Sequence, residues 1–275
     1  MSISLLKRFV RENPWARQLA TSRAVRMSLT ALEFIVFGGE PRLWVTKKLL
    51  TAQLRSKFRR DWLWSVEKPH SFDYEILEMA FGPPAGAYTI YRGVLVTELL
   101  EKGDHLLDIG CGNGFFDCHF YAHKCDRIDA VDVDPVAISA ANKRNSAPNI
   151  NYHLQDAVNQ PFPGSKYDVV VWDGAIGHFA ADSTVGMLNK ISVHLKENGV
   201  FCGSESLGHE EGHDHLQFFE TIHDMADMLK RHFRFVQVRE ARYGISDSAG
   251  FIRKEVYWRC SNNRERLDRA QWTSN

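Results

Sequence analysis

A chain of 275 residues, 44% hydrophobic and 25% charged, can build one substantial domain plus an extension, and is tight for two full-size enzymatic domains. Lys and Arg match Asp and Glu at 34 each, an ordinary soluble globular composition overall. The balance is uneven along the chain: residues 1–60 carry thirteen basic side chains against Glu12, Glu33 and Glu40, about +10, so residues 61–275 carry about −10.

The five cysteines, Cys111, Cys118, Cys125, Cys202 and Cys260, are odd in number and include no C-x-x-C pair, which argues against a disulfide framework. The first residues lack the apolar core and small-residue cleavage site of a secretory signal. The apolar run from Leu29 to Gly39 contains Glu33 and is too short to span a bilayer, so a cytoplasmic location is expected.

From Ser4 to Trp64 the pattern is helical and amphipathic, broken at Gly38-Gly39-Glu40-Pro41. Two prolines and two glycines make Phe81–Ala87 a loop, and Tyr88–Lys102 reads as the helix that enters the core. Short apolar runs then alternate with helical stretches, predicting parallel βα units with strands at His105–Ile109, Arg127–Asp132, Asn151–Leu154, Tyr167–Trp172 and Gly199–Ser204. A polar stretch, Glu205–His215, precedes a helix over Leu216–His232, and Phe233–Arg239 with Glu255–Cys260 form an antiparallel pair. The partition that follows is a basic helical extension over 1–84, a core domain over 85–260 and a polar tail over 261–275.

The strongest motif is Leu106-Leu107-Asp108-Ile109-Gly110-Cys111-Gly112-Asn113-Gly114-Phe115-Phe116, a strand running through three alternate glycines into a helix. Glycine there lets the backbone approach a ligand. Twenty-two residues beyond Gly110, Asp132 closes the second strand, where a carboxylate can accept from both hydroxyls of a ribose. Asp134-Pro135 reads instead as the cap and first turn of the next helix. The third strand ends in Gln155-Asp156-Ala157, and the fourth in the polar, glycine-rich turn Asp173–Phe179.

On these motifs residues 85–260 resemble a class I, seven-stranded, Rossmann-like methyltransferase. The resemblance implies a mainly parallel α/β sheet with an antiparallel last strand and S-adenosylmethionine as cofactor. It implies that Gly110, Gly112 and Gly114 line the methionine moiety beside Asp108, that Asp132 binds the ribose, and that Val133 packs on the adenine. Asp156 would meet the adenine amine, and backbone at Trp172 and Asp173 would flank the sulfur. A nicotinamide-dependent oxidoreductase is the nearest competitor on the same fold, but its fingerprint is G-x-G-x-x-G, whereas here the spacing is G-x-G-x-G. A non-catalytic binding protein on this fold is a third reading.

If the acceptor is a hydroxyl, a general base helps, and His178, after the fourth strand, and His213 and His215, after the fifth, are the candidates. The H-E-E-G-H-D-H run invites a metal reading, with Asp173 and Glu205 as further carboxylates; a polar lid is the plainer alternative, and no metal is assigned. A small molecule, sugar or lipid-linked acceptor is favoured over nucleic acid. For the extension a folded helical cap leads, ahead of peripheral membrane contact through residues 1–60 and of an interface with a second copy of the chain, a homo-oligomer.

Overall fold

Every strand expected from the alternating pattern is present, and together they form one seven-stranded sheet in the order β3-β2-β1-β4-β5-β7-β6. The strands are β1 (His105–Ile109), β2 (Arg127–Asp132), β3 (Ile150–Leu154), β4 (Tyr167–Trp172), β5 (Leu195–Ser206), β6 (Phe235–Gly244) and β7 (Ile252–Ser261). Strands β1 to β5 run parallel, and β7 is antiparallel to both of its neighbours, β5 and β6. The computed structural model describes residues 13, 45–46, 48–50, 52–53, 56, 85–208, 215–244 and 252–269. The chain divides into two compact units, Met1–Tyr74 and Glu75–Asn275. In the first, the described residues between 45 and 56 are helical; the remainder of the predicted basic extension lies outside the described residues. No helix among the described residues is long and apolar enough to cross a membrane.

Strands β1, β2 and β4 are buried on both faces, as expected for the middle of a sheet covered on both sides, whereas edge strand β3 is only part-buried. On one face Leu107, Ile109, Val170, Trp172, Phe201 and Trp258 pack with Met187, Leu188 and Ile191 of α3 (Ala181–His194) and Met225 and Leu229 of α4 (Ile222–Leu229). On the other, Leu106, Ile128, Val169, Val171 and Cys202 pack with Val96 of α1 (Ala85–Thr97), Ile138 of α2 (Pro135–Arg144) and Leu267 of α5 (Glu265–Arg269). Asp134 caps α2 as expected, its side chain accepting from Val136 N at 2.8 Å with Pro135 in the first turn.

Several boundaries differ from the sequence expectation. Ala85–Ala87 belong to α1 rather than to a loop, and α1 stops at Thr97. The expected helix over Leu216–His232 shrinks to α4, because Thr221 and Asp224 form a capping box that starts the helix at Ile222, and Phe219 bridges to Leu207 instead. β6 and β7 are longer than their apolar runs, because ladder pairing between them continues from Phe235↔Ser261 to Gly244↔Ile252 through polar residues, and β5 starts early, at Leu195, which pairs with Tyr167 of β4. The segment read as a polar tail contains α5, where buried Arg266 donates to Leu99 O at 2.9 Å and pairs with Asp104.

The chain leaves β1 toward β2 and β3 on one side and returns to β4 and β5 on the other. The strand order therefore reverses between β1 and β4, and the carboxyl ends of these two strands open the crevice where ligands of α/β sheets bind.

Candidate active site

The glycine turn after β1 is held from three directions. Gly110 N and Cys111 N donate to Val131 O at 2.8 and 3.2 Å, Gly112 N donates to Asp132 Oδ2 at 2.9 Å, and Asn145 Nδ2 donates to Asn113 O at 2.9 Å. Gly110, Gly112 and Gly114 all have left-handed φ, at 74°, 55° and 70°, which a side chain would strain. Their surroundings differ. A side chain at Gly112 would enter open space, and one at Gly110 would press on Ala175 Cβ at 3.2 Å, so the β1 and β4 turns touch there. One at Gly114 would collide with the Tyr152 phenol, so packing on β3 accounts for that glycine.

Asp132 lies at the end of β2 with both oxygens turned to backbone, Oδ2 to Gly112 N and Oδ1 to Asp134 N at 2.8 Å. Each carboxylate oxygen keeps a further acceptor direction. Beside it Val133 is 70% exposed and Leu154, at the end of β3, is 58% exposed, large apolar side chains at the rim of the crevice. Asp156 organises the turn after β3, accepting from Val158 N at 2.9 Å and Asn159 Nδ2 at 2.7 Å. The Asn159 hydrogen bond, foremost, holds its carboxyl below the usual carboxylate range. Open space over Gly112, the Asp132 carboxylate and the apolar rim together suit an adenosine-bearing cofactor.

Asp108, at the end of β1, is buried next to Asp117 in a π-helical turn, Asp117–Tyr121, that follows the glycines. Burial, foremost, and then the Asp117 charge push the Asp108 carboxyl well above the usual range. Trp172, the last residue of β4, is buried, and Asp173 just beyond it accepts from Arg92 Nε of α1 at 2.7 Å and from Ser204 Oγ. Gly174, at φ 60°, has Arg92 where a side chain would stand.

His178 ends a 3₁₀ turn, Ile176–His178, and its ring lies 4.5 Å from that of His215, edge to face. Gly177 brings the pair together: its N–H donates to Glu205 Oε2 at 2.9 Å, and its carbonyl accepts from Leu216 N at 2.8 Å. A side chain there would meet the His215 ring and Glu205. Glu205 is itself buried and accepts from Ser206 N at 2.9 Å. His213 lies outside the described residues. Among the described residues no three His, Cys, Asp or Glu side chains are grouped as a metal site, so Asp173 and Glu205 are not joined into a ligand set.

Sequence reasoning did not single out Arg92, Ser204 or Asp117. Arg92 and Ser204 carry no motif, since their partner Asp173 is 81 and 31 residues away. Asp117 did leave a trace, as an acid inside the apolar run Phe115–Tyr121.

Residues 106–199 match the family model described as a methyltransferase domain. The eEF1A lysine and N-terminal methyltransferase of Xenopus laevis is 25% identical over 173 residues, 60% of this chain and 24% of that protein. Ribosomal protein L11 methyltransferase of Bacillus subtilis is 28% identical over 155 residues, 54% of this chain and 48% of that protein. The aligned region thus spans a quarter to a half of these relatives. A crystal structure from Listeria monocytogenes, assigned as an S-adenosylmethionine-dependent methyltransferase, shares the fold with a TM-score of 0.51 at 14% identity, covering 65% of this chain and 100% of that one. The family match over residues 106–199 shows a methyltransferase domain, and the sheet order and the likeness to the solved structure agree on the Rossmann-like class I fold.

Proposed function

We propose that the protein methylates a small molecule, a sugar or a lipid-linked acceptor at a hydroxyl oxygen. S-adenosylmethionine supplies the methyl group, already electrophilic on its sulfonium. The chain's task is then placement and proton removal. Gly110 and Gly112 leave room for the methionine part beside Asp108, Asp132 receives the ribose hydroxyls and Val133 covers the adenine. Asp156 offers Oδ2 to the adenine amine, and backbone at Trp172 and Asp173 borders the sulfur. His178 or His215 takes the acceptor proton.

The observation that carries the oxygen reading is the His178–His215 ring pair at the carboxyl edge of the sheet, beside buried Glu205. Imidazole is the side chain whose ordinary pKa suits proton removal near neutrality. A second reading, methylation of a protein, is supported by the names of both curated relatives, and an amine as the acceptor by the lysine and N-terminal methyltransferase alone. Transfer of labelled methyl to hydroxylated small molecules, glycans, lipid-linked glycans and protein fractions separates the two. Label confined to protein amines would overturn the oxygen reading, and no binding of S-adenosylmethionine or its demethylated product would overturn both.

Beside the leading role of a folded helical cap, the charge of the basic extension supports contact with an anionic or amphiphilic acceptor surface. The full chain should co-sediment with anionic vesicles and be released by salt. A Lys47→Glu, Lys48→Glu variant that sediments as well as the parent would leave the cap or subunit-interface role.

A further inference from the structure

Asp117 is an acid where the surroundings offer it no partner except another acid. Its side chain is fully buried, in the π-helical turn that begins three residues after Gly114, and neither oxygen meets a hydrogen-bond donor. The group it faces is the Asp108 carboxyl, also buried. Two carboxylates accept but do not donate, so a hydrogen bond between them exists only when one carries a proton.

Among the described residues, the groups that raise the Asp108 carboxyl include no compensating cation. Asp132 faces that carboxyl from the end of β2 and Asp173 from the end of β4, both adding negative charge. Cys111 on the glycine turn, Cys118 and Tyr121 on the π-helical turn and Cys202 on β5 are thiols and a phenol that burial pushes up, so they stay neutral. Arg92 on α1 directs its Nε to Asp173. A buried acid pair with one shared proton is therefore matched to a ligand that brings its own positive charge.

We propose that Asp117 is a positioning residue for the cofactor's amino group: it shares a proton with Asp108, and arrival of the ammonium beside Asp108 replaces that proton as counter-charge. The inference rests on the cofactor reading above. The balance is simple. The free pair holds one proton and one negative charge; the bound pair holds two negative charges against the ammonium, and one proton leaves to solvent. Burial, foremost, raises both carboxyls, Asp117 to about 7, which places the exchange in an accessible pH range.

Calorimetry with two ligands tests this on the full chain. S-adenosylhomocysteine carries the amino group, and 5′-methylthioadenosine has the same nucleoside and thioether without it. For the unmodified protein, S-adenosylhomocysteine should bind about tenfold tighter at pH 7.5 than at pH 6 and release up to one proton, read from buffers of different ionisation enthalpy. 5′-Methylthioadenosine should show neither effect. In Asp117→Asn the amide donates to Asp108 without a titrating proton, so the pH slope and the proton release should vanish while 5′-methylthioadenosine affinity holds. Equal pH slopes for the two ligands in the unmodified protein, or a full slope retained in the variant, would overturn the proposal. If neither ligand binds the unmodified protein at all, the cofactor reading fails instead.

Discussion

Arg92 donates its Nε to Asp173 Oδ2 at 2.7 Å, joining the helix that enters the core to the turn after β4. Both side chains are largely buried, and Ser204 Oγ donates to the second Asp173 oxygen. Removing one partner of a buried ion pair costs more than the pair contributes, because the other charge stays desolvated. Asp173→Ala should therefore destabilise by about 2–4 kcal/mol in urea unfolding. Arg92→Lys, which keeps the charge but loses the planar guanidinium, should cost less than that. A neutral effect of Asp173→Ala would show that the turn is held by its backbone bonds alone, such as Gly174 N to Ser204 O.

Asp132 has two tasks in this geometry, receiving the ribose and fixing Gly112. Asp132→Ala should weaken S-adenosylhomocysteine binding by about 1.5–3 kcal/mol, the scale of a lost charge-assisted hydrogen bond. Asp132→Asn retains one acceptor oxygen for Gly112 N and should fall between. An unchanged dissociation constant would move the ribose role to Asp134, whose carboxylate already caps α2.

The legible features were those written in contiguous residues. Three alternate glycines behind an acid-bearing strand, an acid closing the second strand and an Asp-Pro helix start each need only local chemistry; Asp134 caps its helix as expected, and Gly112 N donates to Asp132 where the glycine turn meets the end of β2. Features made by contacts across the fold were not legible. Arg92 reads as one polar position on an amphipathic helix until the fold brings it to Asp173. Gly114 looks like its two neighbouring glycines, and only the position of Tyr152 shows a different reason for it. The ladder between β6 and β7 extends beyond Arg239 through Glu240 and Arg242, residues that no apolar pattern marks as strand.

Asp129 on β2 gives an acid-side signature. Its side chain is buried; burial alone would raise its carboxyl, but His105 at 2.7 Å and Arg127 at 3.1 Å overcome that and hold it down to about 2. A depressed folded-state pKa contributes stability that is present above the unfolded value, about 3.9, and lost as pH falls through 2. Asp129→Asn should cost about 2–3 kcal/mol at neutral pH and progressively less below about pH 4. A constant penalty across that range would locate the cost in shape rather than charge.

Glu255 on β7 gives the opposite sign. It is 1% exposed, and burial pushes it up to about 7 despite Arg253 and Arg92. A raised carboxyl contributes stability that is full below its unfolded value, about 4.3, and is lost as pH rises through 7. Glu255→Gln should therefore be more stable than the parent at pH 8, by about 1–3 kcal/mol, and equal to it near pH 4. The gain is limited by the lost contact to Arg253, with which Glu255 is paired. Thermal melts of the two proteins across pH measure it, and parallel curves would exclude titration of Glu255 in this range.

The histidine pair makes the proton-transfer proposal testable in a way that isolated histidines would not. His178 and His215 touch ring to ring, so the one that removes the acceptor proton is oriented by the other, and their contributions should be non-additive. Replacing the base with Asn should lower turnover by about 10²–10⁴ and leave S-adenosylhomocysteine affinity nearly unchanged, since proton transfer rather than binding is lost. Replacing its neighbour should cost less, and the double variant should be no slower than the worse single one. Gly177→Ala supplies a geometric control: its side chain would press on the His215 ring and on Glu205, so turnover should fall with both histidines retained. If His178→Asn, His215→Asn and the double variant all keep the parent rate and the parent pH profile, neither ring removes the proton, and the oxygen-acceptor reading loses the observation on which it stands.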